Sequence, residues 1–72
     1  MTEKHNGYSN YETWNIVLWL DNDESFNSIA QSCNNYDEFK RKIAIGGTPD
    51  SVSWWNTAAN IEEINQTIWG NE

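Results

Sequence analysis

Apolar side chains occupy most positions from Tyr11 to Leu20, and then polar residues take over abruptly at Asp21-Asn22-Asp23-Glu24. At about 100° per residue, Tyr11, Trp14, Val17 and Leu18 fall on one face of a helix, and Ile16, Trp19 and Leu20 fall on the other. A helix apolar nearly all round is buried on several sides. Ser9 and Glu12 have the spacing of a capping box, in which the hydroxyl accepts from the amide near Glu12 and the carboxylate reaches back. A first helix from this box to about Leu20 follows. The alternation of Trp14, Ile16, Leu18 and Leu20 also suits a strand, but the cap and the length of the run favour the helix. The placing of Trp14 at the centre of the core, with Tyr11, Val17 and Leu18, rests on this register.

Three more helical segments follow. Phe26, Ile29, Ala30 and Cys33 recur at i, i+3, i+4 and i+7, with the acidic run before them as cap. Asn35 with Glu38 opens a third helix whose apolar stripe is Tyr36, Phe39 and Ile43. Its first-turn Asp37 and Glu38, and its later Lys40, Arg41 and Lys42, complement the helix dipole. Gly46-Gly47 stands where a helix stop is expected. Thr48-Pro49-Asp50 reads as a turn, and Val52-Ser53-Trp54-Trp55 returns the chain to the core. Asn60 with Glu63 repeats the cap, Ile61, Ile64 and Ile68 face inward, Trp69 closes the stripe and Gly70 ends it. The expected fold is all-α, a small bundle of three to four helices with a Trp-rich core. Residues 1–8 form a loose arm pinned at Tyr8, and residues 9–72 a single helical domain.

Composition sharpens this picture. The chain has 72 residues, with five Trp, three Tyr and two Phe. Each aromatic side chain buries about 150–250 Å², so in a domain this short these residues are the main source of burial. The single cysteine, Cys33, gives no disulfide framework, and one histidine, His5, gives no zinc site. Eleven acidic residues against four basic ones leave a net charge of −7. That balance opposes direct nucleic-acid binding, which needs a basic face. No apolar run approaches the roughly 20 residues of a membrane span, and the first ten residues lack an apolar signal segment. A soluble cytoplasmic protein, monomeric or homodimeric, is expected.

The stretch NYETWNIVLWLDNDE, Asn10 to Glu24, resembles the opening of a family of small acidic proteins found in phages, plasmids and bacterial genomes. Val52 to Trp54 and the acidic helix Ile61 to Ile68 also fit that pattern. The resemblance implies a mobile-element accessory protein acting inside a bacterial host cell. It carries no activity and no functional residue.

Candidate chemistry is sparse. Asp21, Asp23 and Glu24 suggest a calcium loop, but the sixth and twelfth positions from Asp21 hold Phe26 and Ser32 in place of Gly and Glu. Capping of the second helix accounts for them. Cys33 lies on an apolar stripe and reads as a buried structural thiol. The pairs Asp37-Glu38 and Glu62-Glu63 diverge along their helices, and Gly46-Gly47 lacks the P-loop spacing and lysine. No enzyme and no cofactor is expected. Lys40-Arg41-Lys42 reads first as a helix-end complement and second as a contact for an acidic partner.

Two features point to binding. Adjacent Trp54 and Trp55 point in different directions, so either both belong to the core or one of them is a contact residue of the kind enriched at hot spots. Asp21, Asp23, Glu24, Asp37, Glu38, Glu62 and Glu63 all fall at helix starts, and a bundle could gather several at one end as an imitation of DNA phosphates. The expected function is therefore a non-enzymatic binding protein. It would engage a host protein with a basic surface, in a nucleic-acid-handling or defence complex, through these carboxylates and Trp54 or Trp55. The alternative is an assembly protein that self-associates through the Ile16–Trp19 face of the first helix.

Overall fold

A computed structural model describes residues 7–70; residues 1–6 of the expected arm and residues 71–72 lie outside the described residues. Four helices follow one another: α1 (Tyr11–Asn22), α2 (Glu24–Gln31), α3 (Tyr36–Lys42) and α4 (Ile61–Ile64), the last continuing as a π-helical turn, Asn65–Trp69. The fold is all-α, and the described residues include no strand; an isolated antiparallel bridge joins Gly47 and Ser53.

The first helix starts one residue later than the capping box implies. Asn10 is its cap, with Oδ1 accepting from the Thr13 N–H at 2.9 Å and from the Thr13 hydroxyl at 2.6 Å. Ser9 is drawn into a distant bond instead, its N–H donating to Glu63 Oε1 at 2.9 Å. At the other end, Asp23 closes α1 and caps α2. Its N–H reaches the Trp19 carbonyl, and its Oδ1 accepts from the Ser25 and Phe26 amides.

The inward face of α1 also differs from the one expected. Thr13, Ile16, Val17 and Leu20 are buried at i, i+3, i+4 and i+7, together with Asn15. Trp14 and Leu18 are only partly buried, and Tyr11 is exposed, so Trp14 is not the centre of the core. The rotation has a physical cause. Thr13 and Asn15 are polar and read as solvent-facing, yet both are hydrogen-bonded by distant loops, which makes their burial tolerable. Thr13 Oγ1 accepts the Asn60 N–H at 2.8 Å, and Asn15 Oδ1 accepts the Thr48 hydroxyl at 2.7 Å.

The predicted stripe of α2 holds: Phe26, Ala30 and Cys33 are buried, and Ile29 packs against them. Tyr36 and Phe39 are buried on α3, whose cap is Asn35, with Glu38 reaching back to the Asn34 N–H at 2.9 Å. This helix stops at Lys42, short of the glycines. Gly47 instead lies against the returning chain, where an added Cβ would stand 2.5 Å from the Val52 carbonyl oxygen. From Gly46 to Trp54 the chain doubles back, with Thr48 N–H to Val52 O at 2.8 Å and Trp54 N–H to Gly46 O at 3.2 Å. Val52 and Trp54 are buried as the chain returns, whereas Ser53 and Trp55 face outward.

Trp54 is the hub of the core. It meets Phe26 and Phe39 edge-on at 5.4 and 5.1 Å between centroids, and Phe39 stacks on Tyr36. Trp19 flanks Phe26, and Trp69 flanks both Tyr36 and Phe39. The Tyr36 hydroxyl donates to the Trp54 carbonyl at 2.6 Å.

The π turn sets the last side chain of this cluster. Its wider i→i+5 repeat places residues five apart on one face, so Trp69 follows Ile64 inward. Trp69 Nε1 donates to the Ala30 and Cys33 carbonyls that end α2, and Asn65 Oδ1 accepts the Tyr36 N–H that begins α3. Gly70, at φ +60°, ends the segment in the left-handed conformation that glycine adopts freely.

Candidate functional site

The N-termini of α1 and α4 cap one another. Asn60 holds the Glu63 N–H with Oδ1 and the Ser9 hydroxyl with Nδ2, while Asn10 Nδ2 donates to the Ala58 carbonyl at 2.6 Å. Their far ends also meet, because Asp21, near the end of α1, and Trp69 line one cavity. The two helical segments therefore run parallel, and this fixes where the acidic residues lie. Glu62 and Glu63 sit beside the start of α1, whereas Asp21, Asp23 and Glu24 sit at its end. Twelve helical residues separate the two sets, a length of about 18 Å at about 1.5 Å per residue. The bundle does not gather these carboxylates at one end.

Local duties also engage several of them. Asp23, Glu38 and Glu63 accept from backbone amides, and Asp37 pairs with Arg41 at 2.8 Å, one turn along α3. Asp21, Glu24 and Glu62 are exposed.

Trp54 and Trp55 part company. Trp54 is 0% exposed and belongs to the core, so it is no contact residue. The two lie together in the turn closed by the Asn56 N–H on the Ser53 carbonyl, and their side chains diverge there. Trp55 is 56% exposed, and the Lys40 ammonium lies 4.2 Å from its ring centroid and 5.4 Å from that of Tyr36. A cation over an aromatic face is attracted by the ring quadrupole, by about 0.5–1 kcal/mol at exposed sites. Ile45 is also exposed, at 58%. Trp55 thus offers an exposed apolar ring with a cation on its face.

One polar constellation was not evident from the sequence. Tyr11, Asn15 and Trp19 lie four residues apart along α1. Asn15 Nδ2 and Trp19 Nε1 both donate to Asp50 Oδ2, at 2.8 and 3.0 Å, and Asn15 Nδ2 also approaches the Tyr11 hydroxyl at 3.3 Å. These donors hold the Asp50 carboxyl below its ordinary range, the Asn15 bond contributing most. Ser51 beside it takes φ +72°, a conformation costly for a residue with a Cβ. The constellation latches the loop that delivers Trp54 and Trp55. Asp50 in a Pro-Asp turn was its only local signal.

Among the described residues no group of three or more His, Cys, Asp or Glu side chains is arranged to hold a metal ion. Cys33 is buried, and its thiol donates to the Ile29 carbonyl at 3.3 Å. No helix among the described residues is long and apolar enough to cross a membrane.

Fold and surface together define a small all-helical protein with an aromatic core and an acidic exterior. The whole chain, residues 1–72, matches the profile of DUF7249, a family of unknown function, and the protein belongs to that family. No curated protein and no solved structure matches the chain.

Proposed function

We propose that this protein is a non-enzymatic binding protein of the mobile-element type, acting inside a bacterial cell on a host protein with a basic surface. A nucleic-acid-handling or defence complex is the class of target that its acidity suits. The observation that carries this reading is Trp55, exposed and held under Lys40 while its neighbour Trp54 is fully buried. A tryptophan already ordered in the free protein loses little side-chain entropy on binding, which favours it as an anchor. Asp21, Glu24 and Glu62 supply charge for steering, and the carboxylates engaged in caps and in the Arg41 pair contribute less freely.

The test is comparative. Parent protein, Trp55→Ser and the triple variant Asp21→Lys, Glu24→Lys, Glu62→Lys are used to capture partners from host lysate over a series of salt concentrations. Trp55→Ser should melt like the parent and lose the partner by faster dissociation. The triple variant should slow association. A partner recovered equally by all three, at every salt concentration, overturns the reading.

Self-association remains the second reading, and its surface changes. Ile16 and Leu20 are fully buried and Trp19 is tied to Asp50, so that face is already covered within the chain. Leu18 is only partly buried on the outer face of α1. Sedimentation over a hundredfold range of concentration tests this reading. An oligomer that dissociates when Leu18 is replaced by Ser supports assembly, and a monomer throughout removes it.

A further inference from the structure

A cavity of about 320 Å³ opens between the end of α1, α2 and the π turn, lined by Asp21, Asn27, Gln31, Thr67, Ile68 and Trp69, with Ala30 at its back. Its size lies at the lower end of the roughly 300–1,000 Å³ typical of ligand sites. The nitrogen donors around it are already committed. Asn27 Nδ2 donates to the Leu20 carbonyl, Gln31 Nε2 to Asn27 Oδ1, and Trp69 Nε1 to the Ala30 and Cys33 carbonyls. What remains to face a ligand is the Asp21 carboxylate, the Gln31 carbonyl and the Thr67 hydroxyl. No basic side chain lines the cavity.

Asp21 also stands in an unfavourable place. It lies in the last turn of α1, where the unsatisfied carbonyls concentrate negative potential, and that turn holds no basic residue. The one ion pair among the described residues, Asp37 with Arg41, lies on another helix. A carboxylate in this position weakens the end of α1, although it also stands two residues before the Asp23 cap of α2. Carboxylate and helix end together make a negative well beside a recess rich in acceptors. The π turn aims Thr67 and Trp69 into the same recess, and such turns recur at functional sites.

From this we infer that the cavity is a subsite for the guanidinium group of an arginine side chain. Guanidinium carries donors only, keeps its charge at any ordinary pH, and offers a planar fork to a carboxylate and a neighbouring carbonyl. The inference goes beyond the Trp55 surface and shares only Asp21 with the steering charges; Trp55→Ser disables that surface without touching the cavity, so the two can fail separately.

The experiment titrates isotope-labelled protein with N-acetylarginine methylamide and with its citrulline counterpart, which is nearly isosteric but neutral. The Trp69 indole N–H and the Gln31 side-chain amide are followed by NMR. Arginine should give saturable shifts at millimolar concentration, citrulline should bind at least about tenfold more weakly, and Asp21→Asn should abolish the arginine response. Asp21 is exposed and makes no internal hydrogen bond among those observed, so Asp21→Asn should melt at or above the parent temperature. A residue with a purely structural role would lower it. Trp55→Ser should leave the arginine response intact. No saturable shift, equal responses to arginine and citrulline, or an arginine response that survives Asp21→Asn would each overturn the assignment.

Discussion

Trp54 carries an instructive conflict, because its ring is the hub of the core while its Nε1 is buried without a hydrogen-bond partner. Truncation to alanine removes the edge-on contacts to Phe26 and Phe39 and should cost about 3–5 kcal/mol. A chain of 72 residues has roughly 4–11 kcal/mol of total stability at about 0.05–0.15 kcal/mol per residue. Trp54→Ala should therefore lose a large share of that stability, and all of it where the parent lies at the low end of the range. Trp54→Phe is the sharper perturbation. It vacates about 40 Å³, which at about 24 cal/mol per Å³ costs about 1 kcal/mol, with a smaller loss of transfer energy. It also removes a buried donor whose desolvation costs about 1–3 kcal/mol. The two effects nearly cancel, and Trp54→Phe should lie within about 1 kcal/mol of the parent. Urea titration followed by far-UV circular dichroism measures both variants. Trp14→Ala belongs in the same series and should cost less than Trp54→Ala, since that ring is only partly buried. A loss above about 3 kcal/mol for Trp54→Phe would mean that the indole N–H is satisfied, by a buried water for example. A Trp14→Ala loss equal to that of Trp54→Ala would refute the helical register of α1.

Three further outcomes follow from the loops and caps. Gly47→Ala should destabilise by about 1–3 kcal/mol through the clash with Val52, whereas Gly46→Ala, with open space at its Cβ, should be nearly neutral in the same denaturation assay. Asn10→Ala and Asn60→Ala should each cost about 1–2 kcal/mol as lost caps, and the double variant should fall short of their sum, because both side chains also tie the α1–α4 junction, Asn10 through the Ala58 carbonyl and Asn60 through the Ser9 hydroxyl. Asp50 is held below its ordinary value near 3.8 by the Asn15 and Trp19 bonds. Its contribution is therefore complete above that value and is lost as pH falls through the lower folded value; acid titration of the Trp19 indole resonance should follow this loss, and Asp50→Asn should flatten it.

The helices were legible where their signals were local. Asn35 and Asn60 each bind the amide three residues on, a bond that sequence spacing reveals directly, and both caps form. Ser9 offered the same signal and was overruled by Glu63, 54 residues away in the chain. The inward face of α1 was obscured by the same kind of distant bond. Nothing near Thr13 or Asn15 announces that Asn60 and Thr48 will satisfy them, so two buried positions looked polar and exposed. The split between Trp54 and Trp55 was legible as a divergence, but which ring turns inward depends on the Gly46–Trp54 pairing, whose partners lie across a turn. The cavity beside Asp21 was not legible at all, because the π turn that shapes it leaves no mark on apolar spacing.

The Asp50 latch bears on what the segment Tyr11 to Glu24 means. Its Asn15 and Trp19 hold Asp50, its Ile16, Val17 and Leu20 fill the core, and its Asp23 joins two helices. These are the duties of a scaffold, and a mutation in any of them acts on the fold before it acts on a partner. Trp55, Ile45 and Lys40 meet solvent outside this segment, on the loop that the latch positions and the helix beside it. Asp21 is different. It lies inside the segment, faces a cavity, makes none of the internal bonds observed, and stands at a helix end that disfavours its charge. If fold alone shaped this segment, a neutral or basic residue would serve better at that position. The carboxylate is therefore a feature of the segment that none of the observed packing and hydrogen bonds explains, and it is the first position in α1 at which a functional defect should appear without a loss of folding.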